Sequence, residues 1–448
     1  MEHRQRAAGS HSECGLPVPD PVRGRAFQRT ASAGAGRRSG AGHAIGRSMD
    51  GDVGDASACP ITFRRFFGPH ANELAILCRP EGRSPDPVRQ AEAAYRALAE
   101  LLATHQTSFL DLTGETLFLR DVRHELPLVL GARTRVLADL GQSADAPPPA
   151  FIQQAPVDQR AAFELAASAV VPHHRDAWSV RDIQATPPCA CDGCARSGAR
   201  LIQLGEQVSL HTANLYGTGG DACAQALDMF GAAQRLLDQC GMGFRDVVRT
   251  WIHLRNIDRD YDALNHARRT FFQRCGIAVR PASTGVQGLP LPEAHDFSMS
   301  LQAVKSPRPL EVTPMSTPSL NEAWSYGADF SRGLRLAEAN KVTLHVSGTA
   351  SIDEAGQTVH VGSFTAQVDR MLDNLASLLA QQGATFEHVV SGVTYLRNPD
   401  DAPALRARCH ARGFVGFPCA LVEAPLCRPE LLCETEAVAL LPLAAARA

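Results

Sequence analysis

QALDMFGAAQRLLDQCGMGFRDVVRTWIHLRNI, residues 225–257, decides the fold, because the chain contains it again as QVDRMLDNLASLLAQQGATFEHVVSGVTYLRNP at 367–399 and, more loosely, as AAYRALAELLATHQTSFLDLTGETLFLRDV at 93–122. In each copy a segment with apolar residues at three- and four-residue spacing predicts a helix, for example Leu98, Leu101 and Leu102, or Met371, Leu375 and Leu379. A short polar turn follows, then a β-branched and aromatic run such as Val247-Val248-Arg249-Thr250-Trp251-Ile252, which predicts a strand. Phe109, Phe244 and Phe386 stand at the same point of the turn, and eleven residues later come Arg120, Arg255 and Arg397, each preceded by Leu. A period of this kind is to be settled before anything else, since it dictates the architecture.

Working outward, the two later copies carry a hairpin-like segment ahead of the helix, with Val-x-Leu-His at Val208–His211 and Val342–His345. All three copies close on a further strand: AAFELAASAV, DFSMSLQAV and LCETEAVAL. The repeating unit reads strand, strand, helix, strand, helix, strand, which predicts an α+β class. The borders fall at 58–182, 183–308 and 309–448, with 1–57 a disordered tail of Gly and Arg and few large apolar residues. Met49 opens a more ordinary stretch inside that tail.

Composition bounds the partners. Of 448 residues, 44% are hydrophobic and 20% charged, enough for ordinary globular cores. Forty-four basic against 47 acidic residues leave a net charge of -3, which speaks against nucleic acid as a partner. No apolar run is long enough to span a bilayer, so no membrane partner is expected. Thirteen scattered cysteines suit free thiols in a cytoplasmic protein. Cys189, Cys191 and Cys194 lie close enough to hold zinc, but there is no second Cys pair, and a metal-free surface loop is the expectation. The sequence carries no P-loop, dinucleotide-binding glycine turn, His-Glu-x-x-His helix or serine elbow, and implies no cofactor.

The pattern resembles the RidA/YjgF/L-PSP superfamily, whose chorismate mutase-like units form homotrimers with ligand clefts between subunits. Three copies in one chain imply a monomeric pseudotrimer of bacterial type, with a central β-barrel-like core and helices outside. Within the superfamily, the second and third copies are most similar to the chorismatases, on VVRTWIHLRNID (247–258), RPASTGVQG (280–288), SYGADFSRG (325–333), VSGTASIDEAGQTVH (346–360) and APLCRPELLCETE (424–436). Leu320–Trp324, where chorismatases carry a substrate-binding Arg, has none, which speaks against chorismate itself. The cleft Arg of the simple imine deaminases is replaced by Phe151, Ser283 and Cys419.

The resemblance gives Glu434 the place of the catalytic acid, with Ala166 and Ser300 as its counterparts, so that a single cleft between the second and third units is equipped. The plain alternative is a strand Glu paired with an Arg. A carboxyl flanked by apolar strand residues has a raised pKa and can protonate an enol ether or enamine carbon. Cys427, seven residues earlier, matches chorismatases that make a hydroxybenzoate; otherwise it is a small buried hydrophobe. Tyr326, Gly348, Ala350, Arg397, Arg428 and Arg280 are the expected substrate-binding residues, for a small carboxylated metabolite. The recurrence of Arg120, Arg255 and Arg397 also fits a shared interdomain ion pair, and His211 and His345 read as satisfied strand histidines. The expected activity is a chorismatase-like hydrolase or lyase, with an enamine/imine deaminase, a non-catalytic scaffold and a ribonuclease as rivals.

Overall fold

Asp86, Asp221 and Asn256 open three of the helices in the way such residues do, their side chains accepting from the N–H of Val88 (2.9 Å), Ala224 (2.8 Å) and Arg259 (3.0 Å). The computed structural model describes residues 44–47, 59–80, 84–142, 146–185, 196–291 and 293–443. Within them the helix–turn–strand repeat is realised three times, and each aligned Phe begins a one-turn 3-10 helix: Phe109–Asp111, Phe244–Asp246 and Phe386–His388.

The first unit contains β1 (Ala44–Arg47), β2 (Ile61–Phe67), β3 (Ala71–Cys78), α1 (Pro87–Thr104), β4 (Leu112–Leu119), α2 (Glu125–Asp139), β5 (Ala150–Gln153) and β6 (Phe163–Pro172). The second contains β7 (Trp178–Gln184), β8 (Gly198–Leu204), β9 (Gln207–Ala213), α3 (Ala222–Gln239), β10 (Val247–Leu254), α4 (Ile257–Cys275), β11 (Ala282–Gln287) and β12 (Phe297–Lys305). The third contains β13 (Glu311–Pro314), β14 (Gly333–Ala337), β15 (Val342–Ala350), α5 (Phe364–Ala380), β16 (Val389–Leu396), α6 (Ala402–Ala411), β17 (Cys419–Glu423) and β18 (Cys433–Leu441). The three six-stranded sheets share one strand order, β1-β2-β3-β6-β4-β5, β7-β8-β9-β12-β10-β11 and β13-β14-β15-β18-β16-β17. In each, the last pair is parallel, joined by a helical crossover as parallel pairing requires.

Each unit therefore has two strands more than the sequence pattern shows. The edge strands β1, β7 and β13 are short or polar on both faces, so no alternation marks them. The parallel strands β5, β11 and β17 are four to six residues long and lie beside prolines. Ala44–Arg47, inside the stretch read as a tail, pairs antiparallel with β2 and covers that sheet edge. Trp178–Gln184 pairs with β8, so the border between the first two sheets lies between Pro172 and Trp178.

Two helices cover one face of every sheet, burying stripes such as Ala94, Leu98 and Leu102 of α1, or Val368, Met371, Leu372 and Leu375 of α5. The opposite faces meet around a shared apolar cluster with residues from all three units, including Leu77, Phe118, Ile152, Val286, Tyr395 and Val422. Among the described residues no single sheet closes into a barrel, so the expected barrel-like core is not confirmed. The sheets touch through isolated bridges, Gln153–Leu289, Pro156–Val422 and Ala282–Ser331. Pro149, Pro281 and Pro418 beside the parallel edge strands lack the N–H that a continuous ladder needs. No described helix is long and apolar enough to cross a membrane.

Candidate active site

The cleft between the second and third units encloses a cavity of about 500 Å³. Helix α4 and strand β11 form one wall through Tyr261, Asn265, Arg268, Ser283 and Gly285. The third unit supplies the other through Phe330, Arg332, Gly348, Ala350, Cys427 and Glu434. Ser331 ties the walls together: its N–H donates to Pro281 O (3.1 Å) and its hydroxyl to Arg280 O (2.7 Å).

Glu434 is 6% exposed, on β18 opposite Ala350 and Tyr395. Among the described residues no side chain or backbone N–H donates to its carboxyl. Burial in this apolar setting, reinforced by the charge of Glu436, pushes its pKa up to about 8, against the pull of Arg332, Arg249 and Arg428. At pH 7 it is therefore protonated roughly ten to one. Glu436, two residues along the same strand face, is held differently: it accepts from Arg249 Nη2 (2.8 Å) and Trp251 Nε1 (2.7 Å). That pairing explains how two carboxyl groups coexist, one fixed in a network and the other poised to give up a proton.

Gly348 leaves the room that the Glu434 carboxyl occupies. A β-carbon there would overlap the Glu434 carboxyl and stand 3.2 Å from the Thr284 methyl. Its N–H donates to Thr284 Oγ1 (3.0 Å), fixing the close approach of the two units. Ala350 lines the cavity beside it. Cys427 also lines it, with a thiol that burial pushes up to about 12. At neutral pH it is an S–H, able to bond Tyr261 but not to attack as a thiolate. Arg428 is at the rim, donating to Gly356 O (2.7 Å).

Two expected substrate contacts act elsewhere. Arg397 donates to the carbonyls of Leu431 (2.9 Å), Arg428 (3.0 Å) and Leu426 (3.4 Å), so it shapes the loop that carries Cys427 and does not line the cavity. Arg255 holds the equivalent loop through Pro290 O (3.2 Å) and His295 O (3.0 Å), and Arg120 does so through Gln159 O. The recurring arginines are thus loop latches within each unit, not interdomain ion pairs; a guanidinium's several donors suit bare carbonyls. Arg280 pairs with Asp329 and stacks over Trp324 (4.9 Å), clamping the units outside the cavity. Tyr326 closes the short helix Ala323–Tyr326, and its side chain lies outside the described ones. Cys189, Cys191 and Cys194 also lie outside the described residues.

The sequence did not single out Arg268 and Arg332, both 3% exposed. Their guanidinium carbons lie 5.7 Å and 5.9 Å from the Phe330 ring centroid, making the cleft strongly cationic. Arg332 donates to Asn321 O (2.8 Å) and Oδ1 (3.1 Å). Arg268 was legible in principle, since it falls on the buried stripe of α4 with Leu264, Ala267 and Phe271, where an Arg needs a reason.

Strand register corrects the counterparts of Glu434. Leu396–Cys433, Leu254–Phe297 and Leu119–Phe163 begin the same ladder, so Glu434 corresponds to Ser298 and Glu164, not to Ser300 and Ala166. The slip of two residues preserves side-chain face, and Glu434 and Glu436 offer two in-phase choices. The first unit therefore keeps the carboxyl. There, however, Arg79 stands where the third unit has Ala350 and meets Glu164 at 3.4 Å, filling the space.

Of the comparisons with known proteins, the one with a chorismatase agrees with this architecture. Residues 326–441 match the family Endoribonuclease L-PSP. The 3-hydroxybenzoate synthase of Streptomyces hygroscopicus is 25% identical over 222 residues, 44% of this chain and 64% of that protein, so the chain spans just under two thirds of its relative's length. A chorismatase crystal structure superposes with a TM-score of 0.53 at 18% identity, covering 74% of this chain and 93% of that one. The YjgF gene product of E. coli aligns over 28% of this chain and 97% of its own, at 16% identity and a TM-score of 0.24.

Proposed function

We propose that the chain is a chorismatase-like protein of the RidA superfamily and that it converts an enol ether carboxylate of the chorismate class, with Glu434 as general acid. The observation that carries this is a buried carboxyl, with a pKa pushed up to about 8 and no hydrogen-bond donor among the described residues, in an arginine-lined cleft of about 500 Å³. Arg332 and Arg268 supply, from β14's approach and α4, the positive field that Leu320–Trp324 lacks. A carboxylated substrate is drawn in by that field and oriented against Phe330.

Glu434 transfers its proton to the terminal methylene carbon of the enol ether. The electron pair of the C=C bond forms the new C–H bond, and the adjacent carbon becomes an oxocarbenium ion, stabilised by the Glu434 carboxylate just formed. Water adds to that cation and returns a proton to Glu434. The resulting hemiketal collapses, breaking the bond to the ring oxygen and releasing pyruvate and the ring alcohol. Cys427 lies in the same cavity at the spacing that the resemblance links to hydroxybenzoate formation, and its neutral S–H can bear on the ring rather than on the side chain. Either fate of the ring releases pyruvate.

The test is pyruvate release from chorismate at pH 7, with chromatography of the ring product. Turnover in the wild type that falls at least a thousandfold in Glu434→Gln supports the reading. Absence of pyruvate, or retention of turnover in the variant, overturns it.

A further inference from the structure

The sheets' inner faces enclose a second cavity on the pseudo-threefold axis, distinct from the cleft. It has two lobes, of about 230 Å³ and about 660 Å³, that share His211, Trp251, Thr113, Ser168, Ser391 and Val438. None of its lining residues lines the cleft.

The carboxyl side chains that line the second cavity are engaged, Glu436 by Arg249 and Trp251, Glu115 by Arg133, Glu73 and Glu338 by Lys341, and Glu206 by Arg308, so the lining side-chain atoms left without a partner among the described residues are all nitrogens. Arg249 Nη1, Arg64 Nε and Trp178 Nε1 are buried donors with no hydrogen-bond partner among the described residues. Neither ring nitrogen of His345 has a partner, which corrects the expectation of a satisfied strand histidine. Arg64, Arg249 and His345 are 3%, 2% and 2% exposed. Burial keeps the His345 ring neutral, with one N–H to give. Burying donors without acceptors is costly, and a cavity lined by several of them favours a group that accepts. Lys341 is engaged, lying 2.6 Å from Glu73 and 3.1 Å from Glu338, so it contributes structure rather than a spare charge. Arg64, Trp178 and His345 line the larger lobe and Arg249 the smaller, and part of the larger lobe's wall is apolar, through Phe66, Ile202, Leu310, Val390 and Leu440. A carboxylate has two oxygens and about four acceptor sites, enough for the donors of Arg64, Trp178 and His345 in the larger lobe, and the apolar part of the wall calls for a body attached to it.

We propose that the axial cavity is a second ligand site, taking a small carboxylic acid with an apolar body. The site is independent of the cleft and of the reaction assigned to it. The chain's three tryptophans offer a direct readout, because Trp178 and Trp251 line the cavity while Trp324 is at the exposed rim of the cleft. In Trp324→Phe, all tryptophan emission comes from the axial cavity. Titration of that protein with benzoate is expected to give a saturable change in emission. Adding Glu434→Gln leaves the midpoint in place, whereas adding His345→Leu raises it at least tenfold, with circular dichroism confirming the fold. A non-saturating response, or an unchanged midpoint in the His345→Leu protein, overturns the proposal. Crystals soaked in 4-bromobenzoate give a second test that needs no variant. An anomalous bromine peak on the axis supports the site, and a peak confined to the cleft, or none, overturns it.

Discussion

Glu436→Gln tests how the acid is tuned. Side chains two residues apart on one strand face lie about 7 Å apart. At an effective dielectric constant of about 20, two like charges at that distance repel by about 2 kcal/mol, or about 1.5 pKa units. Glu436 raises Glu434, and removing its charge lowers Glu434 from about 8 to roughly 6.5. Arg249, deprived of the partner 2.8 Å away, pulls in the same direction. The pH profile of kcat/KM for pyruvate release reads this directly. At pH 8 the protonated fraction falls from about half to about 3%, a loss of roughly fifteenfold, while at pH 6 the loss is under twofold. An alkaline limb that stays near pH 8 in Glu436→Gln refutes the reasoning, because the raised acidity constant would then owe nothing to the neighbouring carboxylate.

Other consequences are as direct. Gly348→Ala puts a methyl into the Glu434 carboxyl and is expected to cut kcat at least a hundredfold while circular dichroism stays native. Arg397→Leu frees three carbonyls of the Leu426–Leu431 loop; a rise in KM or fall in kcat of roughly tenfold is expected, with a loss of about 2–3 kcal/mol in stability by denaturant titration. Glu434→Gln alters stability with a definite sign. A carboxyl raised from 4.5 to about 8 binds its proton more tightly in the folded state. Its contribution favours folding below pH 4.5 and is lost as pH rises toward 8, by at most about 1.4 kcal/mol per unit. Gln does not ionise, so the variant's denaturation midpoint declines less than the wild type's between pH 5 and pH 8.

The repeat was legible because α1, α3 and α5 bury regular stripes and the aligned Phe and Arg residues perform the same tasks in every unit. What the sequence hid has physical causes. Edge strands such as Glu311–Pro314 are four residues long, too short to leave a period-two signal. Glu164 was missed because a two-residue slip along β6 keeps every side chain on its face, and only the ladder to β4 fixes the register. Glu434, Gly348 and Cys427 come together as expected, since they flank one strand pair. Arg397 and Arg280 showed only that cations were needed; position along the chain does not distinguish a guanidinium facing a ligand from one facing backbone carbonyls. The unpartnered nitrogens of the axial wall were invisible because Arg64, Trp178, Arg249 and His345 belong to three different units.

The central claim is that Glu434 is an uncharged acid at neutral pH. Infrared difference spectra of wild type minus Glu434→Gln, taken from pH 5 to pH 10, isolate its carboxyl stretch. The account predicts a protonated C=O band that persists through pH 7 and disappears with a midpoint near 8. A carboxylate already formed at pH 6, with a midpoint near the ordinary 4.5, contradicts it.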